Sequence, residues 1–146
     1  AGMAGYAPGE MLVTDAQRGI ILYKTLFGES RRFLSAADLS QPGALAALPD
    51  GRFCAVSGNS RLVFFNRSAV VLQSTALPGG GDLLAADDSG TLYVVRRGAP
   101  VLWVVRRGRS QSYELVGAGS PSSLALTKDR IAVLDANTRL ITYALP

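Results

Sequence analysis

The sequence predicts an all-β protein built from four copies of one antiparallel motif of about 40 residues. Three observations predict this class. A segment near the C-terminus repeats a segment near the middle with a single gap. Short apolar runs rich in β-branched and aromatic residues alternate with turn-forming residues, as in strands joined by hairpins. Only Ser35–Ala47 has a composition that favours a helix, and Gln41-Pro42-Gly43 interrupts it.

The repeat is clearest between Pro42–Phe65 and Pro121–Tyr143, which align with one gap at Gly51. A third copy spans Asp82–Val105, and Met11–Tyr23 matches the end of the last copy. Equivalent positions are 42, 39 and 39 residues apart, and they hold Asp15, Ser57, Arg96 and Asp135. We therefore divide one domain, residues 1–146, into repeats at approximately 11–41, 42–77, 78–120 and 121–146.

Each copy has the same order of strands and turns. Pro49-Asp50-Gly51 and Asp88-Ser89-Gly90 predict the first turn, because proline presets φ, aspartate bonds to nearby backbone and glycine accepts a positive φ. Gly58-Asn59 and Ala136-Asn137 predict the next turn. A fourth strand is predicted at residues 32–36, 69–73 and 113–116. Four short antiparallel strands in a repeat of this length form a blade of a β-propeller.

The order of residues within a copy resembles the NHL repeat family of β-propellers. The shared pattern is a proline, a small apolar strand, an Asp-Gly turn, an apolar strand, an Asp or Ser, an Asn-Arg pair and a final apolar strand. The resemblance covers Met11–Leu145. The third copy departs from it, because Arg96–Pro100 replaces the Asp and Asn-Arg positions, and this leaves other propeller families open. Some NHL propellers bind RNA, so the resemblance implies that option.

The sequence predicts about 3.5 to 4 blades. The first copy lacks a clear innermost strand, because Ala1–Pro8 is glycine-rich, and the last copy has no outer strand. Unpaired strands at both ends promote aggregation unless they find partners. Three arrangements follow: two chains that share a ring of seven or eight blades, a compact four-bladed monomer in which Ala1–Tyr6 supplies the missing outer strand, or a piece of a longer propeller.

The residue types exclude several kinds of catalysis. The chain has no histidine, which removes histidine triads, zinc sites with histidine and the zinc-dependent lyases of NHL-like fold. The one cysteine, Cys54, lies in a strand-like apolar run and is predicted to be a buried hydrophobe. We therefore predict a protein that is not an enzyme and that has no cofactor and no metal.

Two short motifs have simpler explanations than ligand binding. Asp82, Asp87 and Asp88 do not have the spacing of a calcium loop, and a turn explains Asp87–Gly90 better. Pro78–Asp82 is rich in glycine but lacks the lysine and the following helix of a phosphate-binding loop. We predict a connection between blades at this position.

Positive charge comes almost entirely from arginine, since Lys24 and Lys128 are the only lysines and the net charge is +4. Two near-duplicate segments that end in Arg-Arg-Gly form one hairpin with Tyr93 and Trp103, two aromatic residues for which core packing is the default. The candidate anion, RNA or partner contacts are Arg96, Arg97, Arg106, Arg107 and Arg109. A hairpin turning at Gly98-Ala99 places the first two at one end and the other three at the opposite end.

These observations predict a non-enzymatic propeller that serves as an interaction or assembly module and completes its ring by pairing with itself. The alternative is a basic propeller that binds single-stranded RNA through arginine-rich loops and aromatic stacking. No membrane partner is predicted, because Arg96, Arg97 and Pro100 break the longest apolar stretch. No signal peptide is visible. Localisation stays open, with the cytoplasm favoured.

Overall fold

The computed structural model describes residues 2–35, 37, 39–136 and 138–146, and these contain strands and turns but no helix. Their strands form four antiparallel sheets, three with four strands and one with three, and in each sheet the strands pair in chain order. The all-β prediction and the count of about 3.5 to 4 blades are confirmed. The chain divides into two compact units, Ala1–Pro78 and Gly79–Pro146, and each contains two sheets.

The first sheet begins earlier than the sequence predicts. Its strands are β1 (Met3–Ala7), β2 (Glu10–Asp15), β3 (Ile20–Thr25) and β4 (Ser30–Leu34). The prediction that the first copy lacks an innermost strand is wrong, because β1 pairs with β2 from Met3↔Val13 to Ala7↔Glu10. The predicted arrangement in which Ala1–Tyr6 supplies the outer strand of the last blade is therefore wrong, because β1 belongs to the first sheet. Ala1 lies outside the described residues.

Gly2, one of the glycines that hide β1 in the sequence, is required by close packing. The Thr14 hydroxyl accepts a hydrogen bond from the Gly2 amide at 2.7 Å and donates one to the Gly43 carbonyl oxygen at 2.8 Å. A Cβ at Gly2 would collide with that same carbonyl oxygen. Low side-chain volume here marks close approach of two backbones rather than a loop.

The second sheet consists of β5 (Pro42–Ala47), β6 (Phe53–Ser57), β7 (Arg61–Phe65) and β8 (Val71–Ala76). The helix-friendly stretch ends in β5 and contains no helix in its described residues; Ala36, the end of one predicted strand, and Asp38 lie outside them. β8 begins later than predicted because the Asn66 carboxamide oxygen accepts hydrogen bonds from the amides of Ser68 and Val70, each at 3.0 Å, and holds a turn there.

The second unit contains a sheet of β9 (Leu83–Ala86), β10 (Leu92–Val95), β11 (Val101–Arg106) and β12 (Arg109–Glu114). The predicted fourth strand at 113–116 is displaced, since β12 starts at Arg109. Arg107 and Gly108 have φ angles of 49° and 77°, which gives a two-residue hairpin of the type that matches strand twist. Pairing therefore resumes at Arg106↔Arg109.

The last sheet has three strands, β13 (Pro121–Leu126), β14 (Arg130–Asp135) and β15 (Arg139–Ala144). Its register runs from Arg130↔Ala144 to Asp135↔Arg139. The predicted turn at Ala136-Asn137 joins β14 to β15, and Asn137 lies outside the described residues. Across the described ranges, no helix is long and apolar enough to span a membrane.

Each unit has its own apolar core. In the first unit the Phe53 ring stacks on Phe65 at a centroid distance of 5.4 Å and on Tyr6 at 6.0 Å. In the second unit Tyr93 is buried, which confirms core packing for this aromatic residue, whereas Trp103 is half-buried. Burial of these side chains is the dominant favourable term in folding.

Candidate functional site

At two of the repeated positions, Ser57 and Asp135, the side chain fastens the loop that enters its own blade, whereas Asp15 accepts a hydrogen bond from the Arg18 amide at 3.1 Å within its own turn. The Ser57 hydroxyl accepts a hydrogen bond from the Ser40 amide at 2.8 Å and donates one to the Ser40 carbonyl oxygen at 3.0 Å. One carboxylate oxygen of Asp135 accepts hydrogen bonds from the amides of Ser120 at 2.7 Å and Gly119 at 3.0 Å. Equivalence of these two positions in the sequence is explained by this common structural role.

The third copy makes the corresponding connection from the opposite side. Arg96 holds the repeated position, and its side chain is exposed. The carboxylate comes instead from the preceding loop, where Asp82 accepts a hydrogen bond from the Arg97 amide at 2.6 Å. In this copy the loop supplies the acceptor and the turn supplies the amide donor, which is the reverse of the arrangement at Asp135. The same connection is therefore kept although the repeated position holds arginine.

Asp135 makes the stability of the protein depend on pH. The hydrogen bond from the Ser120 amide lowers the pKa of Asp135, burial opposes this, and the Arg139 side chain at 3.0 Å lowers it further. A carboxyl group with a lowered pKa stabilises the fold above its unfolded pKa of about 3.9, and this contribution disappears as the pH falls through the folded pKa. We expect the urea midpoint to fall below about pH 4, and Asp135→Asn to flatten this acid limb.

The matched control for this pH effect is Asp129→Asn, because Asp129 is exposed in the turn that precedes β14. Its acid limb should coincide with that of the wild type. An Asp135→Asn variant with an unchanged acid limb would contradict the role assigned to this carboxylate.

Asp87, at the β9–β10 turn, is the centre of a hydrogen-bond network. The Asp87 carboxylate accepts bonds from the Ser89 amide at 2.9 Å, the Ser89 hydroxyl at 2.6 Å, the Thr91 amide at 3.0 Å and the Tyr93 hydroxyl at 3.1 Å. In the described part of the chain, no group of three or more His, Cys, Asp or Glu side chains is placed to hold a metal ion. The carboxylate bonds to backbone amides two and four residues further on, as expected for the turn predicted at Asp87–Gly90.

The glycine-rich loop before β9 serves close packing. A Cβ at Gly79 would overlap the indole ring of Trp103. The second residue of this loop must therefore lack a side chain for the ring to lie where it does. Cys54 is buried, and burial raises the pKa of its thiol, so it has the character of a core residue, as predicted.

The five candidate arginines divide into two groups at opposite ends of the β10–β11 hairpin. Arg96 and Arg97 lie in the turn after Val95. At the other end, beyond the Leu92↔Val105 pair, lie Arg106, Arg107 and Arg109. All five side chains are exposed. Arg106 is partly engaged, because its guanidinium donates to the Thr91 hydroxyl at 3.2 Å and to the Pro146 carbonyl oxygen at 3.3 Å.

One of these groups borders a cleft of about 300 Å³. Arg106 and Arg109 lie at its rim together with the hydroxyl, amide and phenol groups of β12, and its lining residues are Val104, Arg106, Arg109, Ser110, Gln111 and Tyr113. Two guanidinium groups beside neutral donors form a suitable arrangement for an anion such as a phosphate.

The last sheet has an open edge, which confirms the prediction that the last copy lacks an outer strand in the described residues. In the other three sheets the third strand is covered by a fourth, and β3, β7 and β11 are largely buried. In the described part of the chain, β15 has no strand on its outer side. Leu140 is 68% exposed, and Val116 is 72% exposed beside Tyr143, whose hydroxyl donates to the Val116 carbonyl oxygen at 2.9 Å.

A second exposed apolar feature lies in the first unit. Leu26 and Phe27 form the turn between β3 and β4, and Phe27 is 99% exposed. The turn ends at Gly28, which has a φ of 90° that favours glycine. Because the Phe27 side chain is fully exposed, it contributes no packing energy to the fold of the single chain.

Comparison with solved structures identifies the fold as a β-propeller. A streptogramin B lyase matches 99% of this chain with a TM-score of 0.73 and 14% identity. The virginiamycin B lyase of Staphylococcus aureus matches 99% with a TM-score of 0.71 and 14% identity, and the WD40 propeller domain of Doa1 matches 99% with a TM-score of 0.78 and 14% identity. No family model matches the sequence, and no curated protein is significantly similar to it.

The chain spans about half the length of these structures, since it covers 54%, 55% and 50% of them respectively. At this identity the likeness establishes the propeller class alone, so membership of the NHL repeat family stays a prediction. The lyase of Staphylococcus aureus has also been solved with quinupristin as a histidine-to-alanine variant that is catalytically inactive.

Proposed function

We propose that this chain is a non-enzymatic β-propeller module for protein interaction and assembly, and that it completes its last blade by pairing with a second copy of itself. The observation that carries the proposal is the uncovered β15. Its backbone hydrogen-bonding groups and its exposed Leu140 lie where each of the other sheets has a fourth strand. An exposed apolar edge of this kind is a site for strand pairing between chains.

The residue chemistry supports a role other than catalysis. The chain has no histidine, whereas the inactive lyase variant among its structural neighbours differs from an active enzyme by loss of one. The described carboxylates whose pKa values are lowered, Asp50, Asp87 and Asp135, make hydrogen bonds inside turns and loops. Their acceptor atoms serve local structure and are poorly placed to act as general bases.

The proposal is tested by the absolute mass in solution, measured by light scattering after size exclusion over a range of protein concentrations. We expect the mass to rise from that of one chain, 15.3 kDa, towards twice that value as the concentration increases. A mass of one chain at every concentration would overturn self-association.

RNA binding is the second candidate function, and the cleft beside β12 favours it. The guanidinium groups of Arg106 and Arg109 border this cleft together with Tyr113, and Arg107 lies in the adjacent turn. Cationic contacts with phosphates combined with an aromatic ring are the usual means of holding a single strand. Half-burial of Tyr113 limits the ring face that is available for stacking.

The RNA candidate predicts a change that is confined to one end of the β10–β11 hairpin. Arg107→Ala combined with Arg109→Ala should weaken binding of a single-stranded oligonucleotide at least about tenfold and flatten its dependence on salt. The matched control is Arg96→Ala with Arg97→Ala, which removes the same charge at the opposite end. Equal losses in both variants would indicate general attraction by net charge, and no loss in either would remove this candidate.

A further inference from the structure

We infer that β15 pairs with β15 of a second copy, antiparallel and across a two-fold axis, so that each strand fills the fourth-strand position of the other copy's last sheet. This inference rests on the self-association proposed above and names the surface that produces it. β1 already occupies the inner position of the first sheet, so among the described strands the vacant place lies beside β15.

The side chains of β15 differ from those of two edges that face solvent. The outermost strands β4 and β12 are polar, with the sequences SRRFL and RSQSYE, whereas β8 reads VLQSTA and combines polar side chains with an exposed Leu72. β15 reads RLITYA, which matches the covered third strands IILYKT and RLVFF. Proteins protect free edges with charge or proline, as the arginines of β4 and β12 do. The central positions of β15 carry neither, and β15 differs from β8, which also lacks them, in that the fourth-strand position beside it is vacant in the described part of the chain.

Two-fold symmetry restricts the partner of β15. A closed dimer uses the same patch on both copies, so an interface centred on β15 pairs this strand with its own copy. The fourth strands β4, β8 and β12 all run antiparallel to their neighbours, and a two-fold axis perpendicular to the sheet gives β15 the same orientation. A self-pairing strand therefore repeats the geometry of the complete sheets.

The axis passes through either Ile141 or Thr142, which are the central residues of β15. With Thr142 on the axis, Ile141 lies opposite Tyr143 and Leu140 lies opposite Ala144. With Ile141 on the axis, Leu140 lies opposite Thr142. In this second register Arg139 lies opposite Tyr143. The other pairs in both registers bring apolar or neutral side chains together on the same face, and such pairs stabilise sheets.

The charge on β15 does not oppose this pairing. Arg139 is its only charged residue and lies at the end of the strand. Its guanidinium donates to the Asp135 carboxylate at 3.0 Å and to the Gly117 carbonyl oxygen at 2.7 Å, so the positive charge is directed to its own chain. Val116, whose carbonyl oxygen accepts a hydrogen bond from the Tyr143 hydroxyl, extends the apolar surface beside the strand. One strand pair with this rim forms a small interface, which predicts a dimer that dissociates on dilution.

The test substitutes Leu140→Lys together with Thr142→Lys. Both side chains are exposed in the single chain, so its fold should survive. In either register lysine then lies directly opposite lysine, which destabilises a strand pair. We expect dimerisation to weaken at least about tenfold, measured by light scattering. The matched control, Ser110→Lys with Ser112→Lys, places the same charges on the polar edge β12 and should leave dimerisation unchanged.

A second measurement does not depend on the stability of the lysine variant. Thr142→Cys should form a covalent dimer on mild oxidation if the axis passes through Thr142, and Ile141→Cys should do so if it passes through Ile141. Ser112→Cys should not, and the native Cys54 is buried and does not compete. A wild-type dimer that tolerates the lysines and crosslinks at neither position would overturn β15 pairing but preserve self-association, whereas a wild-type monomer would remove both.

Discussion

Replacing Phe53 by alanine is expected to lower the free energy of unfolding by about 3–5 kcal/mol, the usual cost of removing a large aromatic side chain from a core. Phe53 is 1% exposed in the first unit. Its ring stacks on Phe65 and Tyr6, so the variant loses both ring contacts and leaves a cavity between the β5–β8 sheet and β1. The measurement is equilibrium unfolding in urea, followed by circular dichroism.

Phe27→Ala is the control for this large effect, because it removes the same side chain at a position that is 99% exposed. Its free energy of unfolding should stay within about 0.5 kcal/mol of the wild type. Similar losses in the two variants would contradict the placement of Phe53 in the core of the first unit.

Replacing Asp87 by alanine is expected to cost about 2–3 kcal/mol in the second unit, because four donors lose one acceptor group together. The Tyr93 hydroxyl is the most affected, since its side chain is buried and donates to Asp87. Burial on its own would raise the pKa of Asp87, but the hydrogen bonds from Ser89, Thr91 and Tyr93 outweigh it and lower that pKa. The folded state therefore favours the carboxylate over the neutral acid.

Asp88→Ala provides the comparison, because Asp88 is adjacent in sequence and exposed. Its effect on the urea midpoint should be small. A loss for Asp88→Ala as large as that for Asp87→Ala would show that net charge at the turn, rather than the network around Asp87, stabilises this part of the blade.

The turns could be predicted from sequence because their chemistry is local. Asp50-Gly51 and Asp87–Gly90 contain the residues that the backbone needs, and Gly51 and Gly90 have φ angles of 86° and 84°. The split of the arginines could be predicted for the same reason, since a hairpin fixes which residues lie at each end.

Features that depend on distant residues could not be predicted in the same way. Gly2 makes β1 resemble a loop until Gly43, far along the chain, is seen to approach it. The role of Asp135 was within reach, because Ser57 holds the equivalent repeat position and both bond to the loop before the blade. The free edge of the last sheet was also within reach, because the last copy has no outer strand in the sequence and the described residues confirm this. The exposure of Leu140 was not, because RLITYA is typical of a covered strand.

The most direct test of β15 as an assembly edge is amide hydrogen exchange of the wild-type chain at low and high protein concentration. Self-pairing predicts that the outward-facing amides of Arg139–Ala144 become protected as the concentration rises, whereas exchange in Arg109–Glu114, the polar edge of the neighbouring sheet, stays constant. Exchange in β15 that is independent of concentration, as fast as in β12, would contradict it.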